Sequence, residues 1–569
     1  MASRHLLSQD FPMLLDERIS DHPAPQSGAT GPATHDSIAI IGAGPTGVYT
    51  LMELVKSDTP LFIAVFEKSN LAGVGMPYSP DYATYDMLAN IGSIEIPPLT
   101  ETYLEWLQRQ PDSFLRPYGV DTDTLSERGF YPRLLLGMFF RDQFERILMQ
   151  ARERGHRIVV RERHEVIDVS VSVIGVDVTF ERYDGHRDTV SYDRLIVASG
   201  HDWSAPDLPD GVVLPNPWSG LIDTDSVGPK IGIIGTSLSG IDAVVAVAGR
   251  IGRFVRSDDG LSFELNGAED DTRITMLSRN GLLPETDFYC PLPYEPLDVF
   301  TDTAIASACA LGSAGLFDRL FHLFMQQLNV ADPTFADSDM MNGVTADTFP
   351  LAVFAERLKS DPFVWARRDL QQTQRDSVSK HTVAWRYTIL RMHEPFSDLY
   401  ALMTDADRDR FDRGLRRVFV DNYAAVPPLS MERLLALSDA GILDVRALGE
   451  DPYEVRALDD NNQLVVMNAQ GRQVFDTLVD ARGQRAMSLH DLPFATLREQ
   501  VATVSNANRS QDPLRGALTE GFGLRLFQGK PRVFLAAISF LMSSKPFVQG
   551  LPGSHEIASV VARSVLEVA

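Results

Sequence analysis

Two stretches of the chain show the same pattern, a short apolar run followed at once by a glycine-rich turn. Ile38 to Ile41 leads into Gly42-Ala43-Gly44-Pro45-Thr46-Gly47, and Ile231 to Ile234 leads into Gly235-Thr236-Ser237-Leu238-Ser239-Gly240. Apolar runs bounded by turns are typical of strands buried on both faces of a parallel sheet. After the first turn, apolar residues recur at helical spacing. Each stretch therefore predicts a strand, a glycine turn and a helix.

Other stretches alternate between apolar and polar residues, which is typical of antiparallel strands with one exposed face. The alternation runs through Val176, Val178 and Phe180 to a turn at Asp184-Gly185. A second hairpin is predicted from residues 464–467 and 474–479. These stretches predict antiparallel hairpin layers beside the parallel sheets.

The segment from about 291 to 440 has a mainly helical pattern. One face of a predicted helix, which Thr404 could cap, carries Phe411, Leu415, Val418 and Phe419. A second amphipathic helix is predicted after Gly550, near the end of the chain. The fold class predicted from all these patterns is α/β, with two Rossmann-like dinucleotide-binding domains, antiparallel hairpin layers and a mainly helical insertion.

Composition narrows the classes of function. The chain has 52 Lys and Arg against 77 Asp and Glu, a formal net charge of −25, which disfavours binding to nucleic-acid phosphates. Its two cysteines, Cys290 and Cys309, form neither a disulfide scaffold nor a zinc-ligand set. No apolar run reaches the roughly 20 residues of a membrane span, and residues 1–35 lack the apolar core of a signal peptide. We expect a cytoplasmic protein that binds no metal, nucleic acid or membrane.

The first glycine turn has the spacing of a dinucleotide-binding fingerprint. Gly42 would permit the tight turn, Gly44 the approach of a pyrophosphate to the backbone, and Gly47 the packing of helix on strand. Glu67 ends the next apolar run, where an acidic side chain accepts hydrogen bonds from an adenosine ribose. A glycine turn that serves packing alone is the alternative, but the acid and both strands favour a dinucleotide site.

The second turn is less regular, because Ser237 stands at the position of the middle glycine. The next apolar run, residues 274–277, is followed by Ser278 and Arg279. A hydroxyl and a guanidinium at this place could bind a 2′-phosphate instead of a ribose hydroxyl. The pair favours NADPH as the second cofactor. Two alternatives stay open, namely that the cofactor is NADH and that Arg279 is an ordinary surface residue.

Several motifs resemble those of bacterial FAD/NAD(P)-binding flavoproteins with two dinucleotide-binding domains. Ser278-Arg279-Asn280-Gly281-Leu282-Leu283-Pro284 is similar to an Arg-X-Gly-Leu-Leu-Pro segment that follows the second unit in that family. The other similar segments are Gly73-Val74-Gly75 with Tyr78, Leu88-Ala89-Asn90, Tyr131-Pro132-Arg133 with Gly137, and Ala198-Ser199-Gly200. The resemblance covers most of the chain from residue 36 onward and implies a flavin-dependent monooxygenase-like protein.

The resemblance also implies which residues hold the cofactors. FAD would lie along the first turn, Glu67 and Lys68, with Gly75 and Asn90 nearer the flavin. The helix that follows Gly550 would point its N-terminus at the flavin pyrimidine, or would simply dock. Residues 481–484 read Ala-Arg-Gly-Gln where relatives often carry Ala-Thr-Gly, and the expected Gly-Asp near the C-terminus is not evident. The cofactor-binding candidates are Gly42, Gly44, Pro45, Thr46, Gly47, Glu67, Lys68, Gly75, Asn90, Ala198, Gly200, Gly235, Thr236, Ser237, Leu238, Ser239, Gly240, Ser278, Arg279, Gly483 and Gly550.

These assignments divide the chain into five parts. We predict a flexible tail over 1–35 and the first part of an FAD-binding domain over 36–225. The core of an NAD(P)H-binding domain would span 226–290, and a helical insertion or substrate domain 291–440. Residues 441–569 would complete the NAD(P)H domain and close the FAD domain.

FAD and NADPH together predict hydride transfer to the flavin. A disulfide reductase is disfavoured because Cys290 and Cys309 lie 19 residues apart. We favour a monooxygenase that uses oxygen, through a C4a-hydroperoxyflavin, on a small polar molecule, with N-hydroxylation of an amino acid or amine as one subclass. An NAD(P)H-dependent flavin reductase that passes electrons to a partner and a non-catalytic FAD-binding regulatory protein stay as alternatives. No catalytic residue is indicated, and the candidates for substrate contact are Tyr289, Arg386, Arg391 and His393.

Overall fold

The computed structural model describes residues 36–200, 213–214, 227–267, 271–458, 463–469, 471–483, 486–505, 517–527, 529–542, 544–548 and 550–567. The tail predicted over residues 1–35 lies outside them. In this part of the chain, no helix combines the length and the apolar character that a bilayer crossing requires. The boundaries of the five predicted parts stay predictions.

Helices and strands follow one another along most of the described chain. The α-helices are α1 (Pro45–Leu54), α2 (Tyr103–Gln108), α3 (Asp112–Leu115), α4 (Arg133–Glu153), α5 (Leu238–Ile251), α6 (Asp302–Ala310), α7 (Leu316–Ala331), α8 (Pro333–Ala336), α9 (Phe349–Phe354), α10 (Pro362–Ser379), α11 (Ala384–Tyr400), α12 (Asp405–Arg413), α13 (Leu415–Tyr423), α14 (Pro428–Asp439), α15 (Ala495–Ser505), α16 (Ile538–Leu541) and α17 (Gly550–Glu567). The strands are β1 (Ser37–Ile41), β2 (Phe62–Glu67), β3 (Arg157–Glu162), β4 (His164–Val171), β5 (Val176–Arg182), β6 (Arg187–Tyr192), β7 (Arg194–Val197), β8 (Val213–Leu214), β9 (Lys230–Ile234), β10 (Gly252–Ser257), β11 (Gly260–Leu265), β12 (Arg273–Ser278), β13 (Leu443–Ala447), β14 (Glu454–Leu458), β15 (Gln463–Asn468), β16 (Gly471–Phe475), β17 (Thr477–Asp480) and β18 (Val533–Leu535).

Two parallel sheets have the same internal order. The first runs β18-β7-β1-β2-β3, and the second runs β13-β12-β9-β17-β8. In each, the strand that precedes a glycine turn, β1 or β9, lies in the middle. Its neighbour on one side is the next strand of the unit, β2 or β12, and its neighbour on the other side is β7 or β17. The predicted α/β class with two Rossmann-like units is confirmed.

Antiparallel layers accompany these sheets. They are β4-β5-β6, β10-β11 and β14-β15-β16. The first contains the predicted hairpin, whose turn places Gly185 at a φ of +81°. The strand predicted over residues 474–479 is two strands, because β16 ends before Asp476 and β17 then joins the parallel sheet. Asp476 marks the change of sheet, since its N–H donates to Lys230 O at 2.7 Å.

The helical region from α6 to α13 has a core of its own. Its fully buried aromatic side chains include Phe317, Phe324, Phe349, Phe396 and Phe411. The predicted cap is present, because the Thr404 side chain accepts a hydrogen bond from Asp407 N–H. The single helix predicted beyond it is instead α12 and α13, which meet at Gly414 with φ −122° and ψ −95°.

The two nucleotide-binding units share one apolar core. Val48 of α1, Phe140 of α4, Val244 of α5 and Val561 of α17 belong to a single contiguous cluster of buried side chains. An ion pair crosses the same interface, with Arg133 Nη2 on α4 lying 2.8 Å from Asp242 Oδ2 on α5. Asp86 and Arg433 make a second ion pair, 3.0 Å apart, in which the first unit supplies the acidic residue instead of the arginine. The units are therefore fixed against each other by packing and by two ion pairs.

Candidate functional site

The first glycine turn brings backbone atoms closer together than a side chain would allow. Gly42 has a φ of +95°, and a Cβ there would lie 2.3 Å from Ala198 O at the end of β7. At Gly47, a Cβ would lie 2.2 Å from Gly42 O. The glycines thus let β1, β7 and α1 converge at the carboxyl edge of the first sheet, where dinucleotides bind in such folds.

The start of α1 is open toward a ligand. Its N-cap residue is Gly44, so no side chain of the N-cap satisfies the first backbone N–H groups of the helix. Gly75 closes the other side of the turn, because a Cβ at this position would lie 2.7 Å from Pro45 Cδ. Gly73 N–H holds this loop by donating to Ala43 O at 2.8 Å. The result is a cradle without side chains at the positive end of a helix, which suits a pyrophosphate.

Glu67 stands beside this cradle, as the ribose prediction requires. Its carboxylate accepts hydrogen bonds from Ala43 N–H at 3.0 Å and from Ser69 N–H at 2.9 Å. A carboxylate has about four acceptor positions, so two hydroxyl groups of a ribose could still donate to it. The neighbouring Lys68 is exposed.

Asn90 has a hydrogen-bonding atom that the described residues leave unsatisfied. Its Oδ1 is buried without a partner. The loop that carries it is fixed, because Ala89 N–H donates to Tyr131 O and Arg133 N–H donates to Met87 O, both at 2.9 Å. A buried acceptor without a donor is costly in an otherwise ordered loop, and a bound ligand is one way to satisfy it. The residues present therefore fit the flavin end of FAD.

The second glycine turn repeats the geometry of the first. Gly235 has a φ of +121°, and a Cβ there would lie 2.4 Å from Ala481 O at the end of β17. At Gly240, a Cβ would lie 2.3 Å from Gly235 O. Ser237 is the N-cap of α5, and its side chain makes no capping hydrogen bond. Replacement of the middle glycine by serine has therefore left the turn and the helix start unchanged.

Matching hydrogen bonds show which residues of the two units correspond. Gly42 N–H donates to Phe66 O, one residue before Glu67, whereas Gly235 N–H donates to Leu277 O, one residue before Ser278. Ser278 therefore takes the place of Glu67, and Arg279 that of Lys68. The second unit has no carboxylate at the position where the first unit has one.

Three further candidates lie at element ends. Gly200 follows β7 with a φ of +75°, and Ser539 Oγ donates to its carbonyl oxygen at 3.2 Å. Gly483 follows β17 with a φ of +88°. Gly550 begins α17, which packs along α1 and brings His555 against the Tyr49 ring at 5.1 Å.

An acidic cluster lies between the Asn90 loop and the segment after Pro284. We define it by Glu95, Asp287, Tyr294 and Glu394. Burial, followed by the charge of Glu95, raises the pKa of Asp287 to about 7. Burial also raises the pKa of Glu95, although part of its side chain is exposed to solvent. Tyr294 is close enough for the charges of all three carboxylates to raise its pKa.

The sequence alone did not identify the acidic cluster. Asp287 follows the family-like segment 278–284 by only three residues, and this proximity is the one signal that could have indicated it. Arg128 lies close enough to lower the pKa of Asp287 and Glu95, and its guanidinium is 4.8 Å from the centre of the Tyr289 ring. Tyr289 therefore lies near the cluster, and its contact with substrate stays a prediction.

The other candidates for substrate contact have structural partners. Arg386 is 7% exposed, lies 3.4 Å from Glu285 and covers the Phe288 ring at 4.3 Å. Arg391 donates to Glu295 O and Pro296 O at 3.1 and 3.0 Å. His393 stacks on Tyr423 at 5.2 Å. These contacts occupy part of the hydrogen-bonding capacity of both guanidinium groups, and a role of the two arginines in substrate contact stays a prediction.

Arg386 belongs to a buried ionic network that sequence patterns did not indicate. Arg357 lies 3.1 Å from Glu285 and 2.7 Å from Asp421, and Trp365 Nε1 donates to Glu285 at 2.8 Å. Burial opposes ionisation of Glu285, but Arg386 and Arg357 lower its pKa below the usual range. Burial and then the charge of Glu285 raise the pKa of Asp369. The network joins the segment after Pro284 to α10, α11 and α13.

Comparisons with known proteins agree with this architecture. Residues 39–202 match the family model described as FAD-NAD(P)-binding, and residues 301–423 match the YdhS-like middle domain. The uncharacterized protein YdhS of Escherichia coli (strain K12) is 43% identical over 532 residues, which cover 93% of this chain and 97% of that protein. The chain belongs to the YdhS family. The predicted FAD/NAD(P)-binding flavoprotein class and the predicted cofactor class are thereby confirmed.

Two solved structures match nearly the whole length of this chain. The reduced form of ornithine hydroxylase PvdA from Pseudomonas aeruginosa has a TM-score of 0.50 and 15% identity, over 94% of this chain and 100% of that chain. L-lysine 6-monooxygenase from Pseudomonas syringae has a TM-score of 0.49 and 12% identity, over 94% and 100% of the two chains. At this identity, the likeness to the ornithine hydroxylase concerns the fold.

Proposed function

We propose that this protein is an FAD-dependent, NAD(P)H-driven monooxygenase that acts on a small polar molecule with an amine. One observation carries the proposal: the same glycine turn is built twice, at the carboxyl edges of two parallel sheets of identical order. Glu67 follows the first turn, and Ser278 with Arg279 follows the second. A ribose-binding acid in one unit and a phosphate-binding pair in the other suit FAD and NADPH.

The residues of each unit would have separate tasks. The start of α1 would hold the FAD pyrophosphate, Glu67 the adenosine ribose, and Asn90 the flavin. The start of α5 would hold the NADPH pyrophosphate. When bound, the flavin supplies the redox chemistry with NADPH and oxygen. The Arg133–Asp242 pair would hold the two units in one relative position, so that the reacting rings meet in one geometry.

Thiol chemistry has little support in the structure. Cys290 is buried, and burial followed by the charge of Asp287 raises its pKa to about 12. A thiol with so high a pKa is almost fully protonated at neutral pH and is a poor nucleophile. Cys309 lies on α6, against the core of the helical region. These observations favour an oxygenase over a disulfide reductase.

The acidic cluster supports an amine as the substrate group. Its three carboxylates would attract an ammonium ion, and the ammonium would in turn favour the ionised form of Asp287. N-hydroxylation needs the neutral amine, whose lone pair must be free. A carboxylate with a pKa of about 7 can accept the proton from the ammonium as it is released. Asp287 would thus bind the substrate and hold its proton.

The test is the fate of oxygen in the presence of amines. Purified full-length protein is supplied with FAD, NADPH and a panel of amines and amino acids, while NADPH, oxygen and hydrogen peroxide are followed together. One amine should increase NADPH oxidation and lower the fraction of oxygen released as peroxide, with formation of its N-hydroxylated product. If every amine leaves peroxide release unchanged, the protein is a reductase. If NADPH does not reduce the flavin, it is a binding protein.

A further inference from the structure

We propose that Arg417 of the middle domain completes a site for the 2′-phosphate of NADPH, together with Ser278 and Arg279. We further propose that Glu450 occupies this site when the nucleotide is absent. The inference rests on the proposed use of NADPH. It assigns to the helical region a part in the choice of cofactor.

Glu450 lies between two guanidinium groups that belong to different parts of the chain. Its Oε2 is 3.7 Å from Arg279 Nε at the end of β12, and its Oε1 is 3.7 Å from Arg417 Nη1 in the first turn of α13. Both arginines therefore face one small volume. An anion in that volume can contact both of them at once.

The contacts of Glu450 are those of an exchangeable group. Its side chain is 68% exposed, and those of Arg279 and Arg417 are 54% and 32% exposed. At 3.7 Å these ion pairs are longer than charge-assisted hydrogen bonds, which lie near 2.7 to 2.9 Å. Pairs of this kind contribute little to stability. A ligand that carries more charge could therefore displace the carboxylate at small cost.

The position matches the place where a 2′-phosphate would lie. Ser278 corresponds to Glu67, the predicted ribose ligand of the first unit, so the adenosine ribose of a second dinucleotide would lie beside Ser278. The Glu450 loop is held next to it, since Leu448 N–H donates to Ser278 O at 2.8 Å and Gly449 N–H donates to Arg279 O at 2.9 Å. A phosphate on this ribose would meet both guanidinium groups, which bind phosphate in a forked geometry.

Arg417 owes its place to the break at Gly414. Its N–H donates to Gly414 O at 3.0 Å, in the turn that separates α12 from α13. The sequence predicted one continuous helix here, which would have given no reason to place Arg417 next to β12. The break and the docking of α13 bring a residue of the middle domain to the nucleotide-binding unit.

The experiment measures nucleotide binding by titration calorimetry on the full-length protein as purified. Three probes are compared. The first, 2′,5′-ADP, carries a phosphate on the 2′-hydroxyl of the ribose, and the second, 3′,5′-ADP, carries a phosphate on the 3′-hydroxyl. The third, ADP, has no phosphate on either hydroxyl. The variants are Arg417→Ala and Glu450→Gln. Arg413→Ala is the matched control, because Arg413 is exposed at the end of α12 and its Nε donates to Asp409 O of its own helix.

Wild type should bind 2′,5′-ADP more tightly than the other two probes. Arg417→Ala should weaken binding of 2′,5′-ADP by about tenfold or more and leave ADP binding unchanged. Glu450→Gln should strengthen it by up to about fivefold, because the competing carboxylate is gone. Arg413→Ala should behave as wild type.

Failure of the inference is distinguishable from failure of the proposed function. Tight binding of 2′,5′-ADP that Arg417→Ala does not change would overturn the role of Arg417. Equal affinity for 2′,5′-ADP and 3′,5′-ADP would show a general phosphate site and would also overturn the inference. NADPH and NADH are titrated into the wild-type protein in the same way, and if both fail to bind, the proposed function itself is wrong.

Discussion

A methyl group at residue 44 would occupy the space that a pyrophosphate needs. Gly44 has an ordinary φ of −74°, and a Cβ there would lie 3.3 Å from Gly75 Cα, so the chain itself can accommodate alanine after a small shift. We predict that Gly44→Ala folds normally but binds FAD at least about tenfold more weakly. Flavin content and the dissociation constant for FAD check this.

Gly249→Ala is the control for that substitution. Gly249 lies within α5, and its added Cβ would make an ordinary contact, 3.5 Å from Asp86 Oδ2. FAD content should stay at the wild-type level. Equal FAD affinity of Gly44→Ala and wild type would show that the first turn does not contact the pyrophosphate.

The acidic cluster predicts a specific dependence of stability on pH. The pKa of Asp287 rises from 3.8 to about 7 on folding, so the folded protein keeps this proton over a range where the unfolded chain has released it. The contribution of Asp287 to the free energy of unfolding therefore falls as the pH rises from about 4 to about 7. Asp287→Asn should abolish this loss of unfolding free energy, which amounts to at most about 4 kcal/mol above pH 7.

Thermal unfolding across pH 4 to 8 tests the prediction. The difference in melting temperature between Asp287→Asn and wild type should increase from pH 4 to about pH 7 and stay constant above that pH. A difference that does not vary with pH would mean that Asp287 ionises normally in the folded protein.

Helices α10, α11 and α13 are connected to the segment after Pro284 through charges that are largely shielded from water. Arg357 is 4% exposed and compensates Glu285 and Asp421. We predict that Arg357→Met lowers the free energy of unfolding by about 3 to 5 kcal/mol, because two carboxylates lose their buried partner. Urea denaturation measures the change.

Arg367→Met is the comparison for Arg357→Met. It removes an ion pair to Asp439 that is 2.7 Å long but exposed at both ends. The loss should not exceed about 1 kcal/mol. Equal effects of the two substitutions would contradict the structural role of the network.

Elements with a local signal were predictable from the sequence. The apolar run before Gly42, the turn and the helix at Pro45 need only neighbouring residues, and Thr404 caps α12 as its position in the sequence indicates. The prediction of a single helix across Gly414 was wrong because both halves keep the same apolar spacing and bury the same face. The spacing pattern therefore could not show the break.

Features that depend on distant residues were not predictable. Glu95 and Asp287 are separated by 192 positions, and Arg279 and Arg417 by 138. Only the folded chain brings such pairs together. The charge of Arg386 is visible in the sequence and made it a candidate for substrate contact, whereas its buried partners became visible only in the fold.

The proposed function requires the two nucleotide units to keep one relative position during hydride transfer. Arg133 and Asp242 are both largely buried where α4 meets α5, so their pair restricts rotation of one unit against the other. We predict that Asp242→Asn slows reduction of the flavin by NADPH by about tenfold or more, because small displacements of reacting atoms cost rate steeply. NADPH affinity should change little.

Stopped-flow reduction under anaerobic conditions measures this rate. Dithionite, which needs no nicotinamide site, should reduce the flavin of Asp242→Asn as fast as that of wild type. An unchanged rate with NADPH would mean that the pair does not set the geometry of transfer.

The central claim is that FAD bound in the first unit is reduced by NADPH bound in the second. The most direct test follows the flavin absorbance of FAD-loaded protein, mixed without oxygen with NADPH or NADH. The account predicts bleaching that saturates with NADPH concentration, and half-saturation at a lower concentration for NADPH than for NADH, with Arg279→Ala removing the difference. A flavin spectrum that neither nucleotide changes would contradict the account.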